Sequence, residues 1–157
     1  MEYDEIRQDP GTYIVILRSN ENRPVLIGTR GLLQLQTGYY LYAGSALGPG
    51  GLRARVGRHL AGSGRPRWHI DFLRQVTFPH EAWLHIGPDR QEHNWADALA
   101  YMPDVEATTP GLGASDCSCA THLFYTRSCP SIADFNNNLH RLGYGATAHS
   151  LRLQVID

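Results

Sequence analysis

The sequence contains no lysine; its 14 basic side chains are all arginine. This excludes Schiff-base and pyridoxal-phosphate chemistry, a phosphate-loop lysine and a lysine general base. Any contact to a phosphate must come from arginine, histidine or backbone N–H groups. Cysteine is scarce and odd in number, three in 157 residues, with only Ser118 between Cys117 and Cys119. That is a poor disulfide framework and points to a reducing, cytoplasmic setting. No run approaches the roughly 20 apolar residues of a membrane span. The acidic start, Met1-Glu2-Tyr3-Asp4-Glu5, has no apolar segment of the signal-peptide kind. The formal net charge of −1 does not mark a nucleic-acid binder.

What is present fits a folded chain. Hydrophobic residues make up 42% and charged residues 18%, a balance that supports a packed core. The length suits one domain spanning residues 1–157, since most domains run to about 100–150 residues. After Gly11, the β-branched run Thr12–Leu17 reads as a buried strand. Val25–Ile27 reads as its partner, Leu32–Gln36 as a further short strand, and Tyr39–Ala43 as a strand using both faces. Gly44–Gly51 reads as a glycine-rich loop. A helix is expected from Leu52, because Leu52, Val56 and Leu60 recur every four residues, with Gly62-Ser63-Gly64 as its stop. Further helices are expected over Trp68–Val76 and Gln91–Met102, and from an N-cap at Ser131 to Leu142, closed by Gly143. Ala82–Ile86, His122–Tyr125 and Leu151–Ile156 read as strands. The pattern predicts an α/β (α+β) domain whose small, mainly antiparallel sheet is flanked by helices. Residues 11–105 form its core and 106–157 a C-terminal extension packed on it.

The near-neutral total conceals a local excess. Residues 53–74 hold Arg53, Arg55, Arg58, Arg65, Arg67 and Arg74 against one acid, Asp71, with His59 and His69 in the same stretch. Such a stripe is either a phosphate-facing surface or a solvated helix face. On the first reading Arg53, Arg58 and Arg67, with Gly44 and Ser45 of the glycine loop, are candidate DNA or phosphate contacts. Arg55 and His59, four residues apart, share a helical face bordering the apolar stripe, where a guanidinium beside an imidazole makes a phosphate receptor. Glu92 falls with Trp95 and Leu99 on the apolar stripe of its helix. There it needs a partner such as a metal ion or an arginine, unless it is simply a first-turn acid favoured by the helix dipole. Tyr13, Tyr39, Tyr40 and Tyr42 lie on strands expected to pair. Such tyrosines usually pack a core, but a phenol beside an arginine has its anion favoured and can act as a general base.

Together these residues carry a resemblance. Gly11-Thr12-Tyr13, Tyr42-Ala43-Gly44-Ser45-Ala46 and Leu52-x-x-Arg55-x-x-Arg58-His59 resemble the GIY-YIG endonuclease superfamily. Trp68-His69-Ile70-Asp71-Phe72-Leu73 and Gly113–Tyr125 resemble its Uri-like branch. The resemblance implies hydrolytic cutting of DNA with one divalent metal, Mg²⁺ or Mn²⁺. It implies that Tyr13 and Tyr42 are the paired motif tyrosines, one of them a general base for water. Arg55 would hold the scissile phosphate, His59 and His69 would contact or orient phosphate or water, and Glu92 would bind the metal, with Glu81 as a second candidate. Ala43 replaces the branched residue usual in the second motif, and the tyrosines, 29 residues apart, imply an intervening strand. Some relatives carry a lysine that assists the tyrosine; here His59, His69 or an arginine must do so.

Cys117, Cys119 and His122, with Cys129 downstream, offer thiolate and imidazole donors for zinc, or reduced cysteines that pack a loop. The expected function is a metal-dependent DNA endonuclease in DNA repair or processing. The alternatives are a non-catalytic DNA-binding module using the arginine-rich helix, and a zinc-stabilised interaction domain.

Overall fold

The computed structural model describes residues 6–27, 31–61, 69–108 and 122–152. Its first strand, β1 (Gly11–Ser19), has side chains buried on both faces, so it needs cover on both. β1 is flanked by β4 (Gly38–Ala46) and β5 (Phe78–Ile86), and the sheet extends through β7 (Leu123–Thr126) to β6 (Val105–Ala107) on one side and to β8 (His149–Arg152) on the other. The order is β6-β7-β4-β1-β5-β8, and every pairing in this six-stranded sheet is antiparallel.

Helices cover both faces. α1 (Gly51–Ala61) and α2 (His69–Arg74) pack Leu52, Val56, Leu60, Ile70 and Leu73 against Tyr13, Val15, Leu17 and Tyr42. α3 (Glu92–Ala100) and α4 (Ile132–Arg141) pack Trp95, Leu99, Phe135 and Leu139 against Ile14, Ile16, Leu41 and Trp83. The expected cap of α4 is present: the Ser131 side chain accepts a hydrogen bond from the Asp134 N–H. No helix among the described residues is long and apolar enough to cross a membrane.

Several sequence expectations change. Val25 and its neighbours do not pair with β1, both of whose edges are occupied; β2 (Arg23–Leu26) and β3 (Leu32–Leu35) form a separate antiparallel hairpin. Its Val25, Leu33 and Leu35 join the cluster under α1 and α2. Gly44-Ser45-Ala46 is not loop but the end of β4, paired with Tyr13, Thr12 and Gly11. The second helix is shorter than expected, and Trp68 lies outside the described residues. The last strand begins earlier, at His149, and residues 153–157 lie outside the described ones. β6 carried no readable signal, because three residues are too few for an alternating pattern. After residue 105, β7 lies beside β4 inside the sheet and α4 builds one of its two cores.

Candidate active site

The β1–β4 register sets the site. Tyr13 lies opposite Gly44, and Val15 opposite Tyr42, so the two tyrosines share the face covered by α1. Gly44 is required by close approach: a Cβ there would stand 2.4 Å from the Tyr13 hydroxyl and 2.6 Å from its ring. Gly51 opens α1 at φ 57°, where a Cβ would meet the Gln8 carbonyl at 2.2 Å. The helix therefore starts hard against the chain before β1 and carries Arg55 and His59 over the tyrosines.

His59 is 1% exposed and stands between the two phenols. Its Nε2 is 2.8 Å from the Tyr13 hydroxyl, and its ring centre lies 5.6 Å from Tyr13 and 5.7 Å from Tyr42. Asp71 reaches in from α2, with Oδ1 3.7 Å from His59 Nδ1 and Oδ2 3.2 Å from Arg58 Nη2. Arg55 places Nη1 3.5 Å from the Ser45 carbonyl and lines a recess of about 150 Å³ with Ala46, Gly48, Pro49, Ala54 and Arg58.

Glu92 enters from the first turn of α3 and is 6% exposed. Arg90 Nη1 is 2.8 Å from its Oε1, and His122 Nδ1 is 3.4 Å from its Oε2. Two backbone anchors hold this corner beside the tyrosines. The Gln91 N–H donates to Thr12 Oγ1 at 3.3 Å, and the Ala43 N–H donates to the His122 carbonyl at 3.0 Å.

Burial dominates the site's electrostatics. It pushes the Tyr13 phenol well above its ordinary value; Tyr42 adds to the rise, Arg55 opposes it, and Glu92 adds a smaller push. Arg55 favours the Tyr13 anion, in the direction expected of a neighbouring arginine, but desolvation is the larger effect. Burial also lowers the His59 pKa, with Arg55 and Arg58 helping and Asp71 opposing, so the imidazole is neutral at pH 7. The buried pair is a protonated phenol beside a neutral imidazole. It suits proton relay, with the phenol receiving a proton as it hands its own to His59.

The matching family model is "Domain of unknown function DUF123", over residues 12–144. The chain belongs to this family. No curated protein and no solved structure gives a significant match. The matched span runs through Tyr13, Tyr42, Arg55, His59, Asp71 and Glu92.

Of the residues singled out from sequence, Tyr13, Tyr42, Gly44, Arg55 and His59 come together, and Glu92 lies close enough to act on the Tyr13 phenol. Arg53 is exposed on α1, and Arg58 is engaged with Asp71. The Ser45 side chain belongs to the opposite strand face from Tyr42, and its buried hydroxyl has no hydrogen-bond partner among the described residues. Glu81 is removed from the tyrosines by its own contacts, accepting from Trp83 Nε1 at 2.8 Å and from the Ser150 hydroxyl. Arg67, Cys117, Cys119 and the His69 side chain lie outside the described residues. His122 and Cys129 lie beyond opposite ends of β7, and Cys129 Sγ is instead 3.4 Å from His80 Nε2. Among the described residues no group of three or more His, Cys, Asp or Glu side chains is placed to hold a metal. A larger hollow of about 350 Å³ between the Met102–Val105 segment and α4 includes Cys129 but none of the tyrosine-site residues.

Sequence reasoning gave Asp71 no role beyond its place in a motif, and Arg90 none at all. The partners of Asp71 sit on another helix across residues 62–68, so no periodic spacing links them. Arg90 lies two residues before Glu92, and that proximity was the one available signal.

Proposed function

We propose that this chain is a divalent-metal-dependent DNA endonuclease of the GIY-YIG superfamily, Uri-like branch, working in the cytoplasm in DNA repair or processing. The observation that carries the reading is the Tyr13 hydroxyl 2.8 Å from a buried, neutral His59, on the face where Arg55 opens to a recess. Water attacking a phosphodiester loses a proton to the Tyr13 oxygen while Tyr13 passes its own proton to His59 Nε2. A new P–O bond forms as the P–O bond to the leaving sugar oxygen breaks, and that oxygen takes a proton from solvent. Arg55 binds the phosphate and stabilises the charge that gathers on its non-bridging oxygens.

Glu92 is the carboxylate that would hold Mg²⁺ or Mn²⁺, with substrate oxygens and water completing the shell. It is buried and a hard oxygen donor, and such ions use one or two carboxylates. When bound, the ion would supply Lewis-acid stabilisation of the leaving oxygen. Arg90, half-exposed, is paired with the same carboxylate, its Nη1 2.8 Å from Oε1.

The test is incubation of the purified protein with branched, nicked and duplex DNA in Mg²⁺ or Mn²⁺. Cleavage is expected, falling at least about 10²-fold in Arg55→Ala and Glu92→Gln, the loss typical of removing one charge-stabilising group. No products from wild type, or undiminished cutting by both variants, sinks the reading. Salt-sensitive binding that persists in Glu92→Gln without metal-dependent products would instead identify a DNA-binding module.

A further inference from the structure

The His59 ring has two nitrogens and two different neighbours. Nε2 is 2.8 Å from the Tyr13 hydroxyl, and Nδ1 is 3.7 Å from Asp71 Oδ1. The second distance exceeds a hydrogen bond but is short for a charge contact in a site whose imidazole is 1% exposed. A neutral imidazole carries one proton, and its neighbours decide which nitrogen holds it. With the proton on Nε2, the Nδ1 lone pair would face a carboxylate in a low-dielectric site. With it on Nδ1, the N–H dipole points at the carboxylate, and Nε2 is left to accept the Tyr13 O–H.

We infer that Asp71 is a positioning residue for the tyrosine relay: it fixes His59 as the Nδ1–H tautomer, so that Tyr13 is the donor and His59 the acceptor. Asp71 is itself held. Arg58 grips its other oxygen at 3.2 Å, and its side chain is 12% exposed. Among the described residues, the groups shown to act on His59 include Tyr13 from β1, Tyr42 from β4 and Asp71 from α2, with Arg55 and Arg58 on its own helix. Among these Asp71 is the one carboxylate, and it stands on the Nδ1 side. The tautomer also separates the two tyrosines: Tyr13, not Tyr42, holds the proton that His59 is set to receive. The catalytic consequence rests on the nuclease reading; the tautomer does not.

Ring-nitrogen NMR of isotope-labelled, free protein tests the tautomer without any activity, with His59→Gln used to assign the signal. Wild type is expected to show a protonated Nδ1 and an unprotonated Nε2 near neutral pH. Asp71→Asn, whose amide can offer an N–H to Nδ1, is expected to move the proton to Nε2; Asp71→Glu restores the wild-type pattern. In cleavage assays Asp71→Asn should lower kcat by at least about 10²-fold with KM for DNA unchanged, as expected when a catalytic histidine holds the wrong tautomer. Asp71→Glu should recover part of that loss. A wild-type His59 protonated on Nε2, or a tautomer unmoved in Asp71→Asn, overturns the inference. If Asp71→Asn does not fold, the wild-type and Asp71→Glu spectra decide. A wild type that shows the expected tautomer but cuts no DNA supports the role of Asp71 and removes the nuclease reading.

Discussion

The two faces of the sheet handle buried polarity differently. Toward α3 and α4, aromatic rings pack on one another, Phe135 lying 5.1 Å from Trp83 and 5.3 Å from Trp95. Apart from the Glu92–Arg90–His122 cluster at the start of α3, polar atoms on that side end in structural hydrogen bonds: Trp95 Nε1 to the Ala146 carbonyl, Asn138 Nδ2 to the Ala98 carbonyl, Trp83 Nε1 to Glu81. Toward α1 and α2, Tyr13, His59, Asp71 and Arg58 form a chain of titratable groups beside a recess lined by Arg55. Burying such groups costs stability unless each is satisfied. The ring-packed core on one face backs the sheet whose other face carries these buried polar groups. One strand serves both, because alternate residues of β1 point to opposite sides.

The largest effect should come from the apolar face. Phe135→Ala is expected to cost about 3–5 kcal/mol, read by denaturant unfolding, while kcat for the proposed DNA cleavage by the folded protein stays near wild type. A selective loss of kcat at full stability would show that the faces are not independent. Gly44→Ala works from the other side. Its new methyl must displace the Tyr13 ring, and on the proposed nuclease reading a shift of that size should lower cleavage by about 10²-fold. DNA binding by fluorescence anisotropy should persist.

The pH dependence of stability also separates the faces. Because burial lowers the His59 pKa below its ordinary 6.5, the unfolded chain takes up its proton first as pH falls. The contribution of neutral His59 is therefore present above about pH 6.5 and is lost below it, by at most about 1.4 kcal/mol per pH unit. Melting curves between pH 7 and 5 should fall less steeply in His59→Gln than in wild type; equal slopes would remove the buried neutral histidine from the account. The smallest effect is expected at the α4 cap, where Ser131→Ala should cost about 1 kcal/mol and leave the proposed cleavage unchanged.

Much of the fold was legible because its signals are local. The β-branched run of β1, the four-residue spacing of Leu52, Val56 and Leu60, and the Ser131 cap each act within one element. Pairing was less legible. The detachment of the β2–β3 hairpin depends on β4 and β5 having taken both edges of β1, which no window around Val25 can reveal. At the site, Arg55 with His59 and the buried Glu92 followed from helical spacing. Asp71 did not, because an ion pair between segments leaves no periodic trace, and for Arg90 only its nearness to Glu92 in sequence was available.

The sequence by itself determined which groups are available: no lysine, arginines gathered over residues 53–74, paired tyrosines on strands, and an acid on an apolar helical stripe. Tertiary structure decided their chemical state. Whether a tyrosine rests as phenol or phenolate, and whether a histidine is neutral, depends on desolvation and on charges brought in from other elements. For Tyr13 and His59 those are Arg55 and Arg58 from α1 and Asp71 from α2. Protonation is set by distance and burial, and both exist only once the chain has folded.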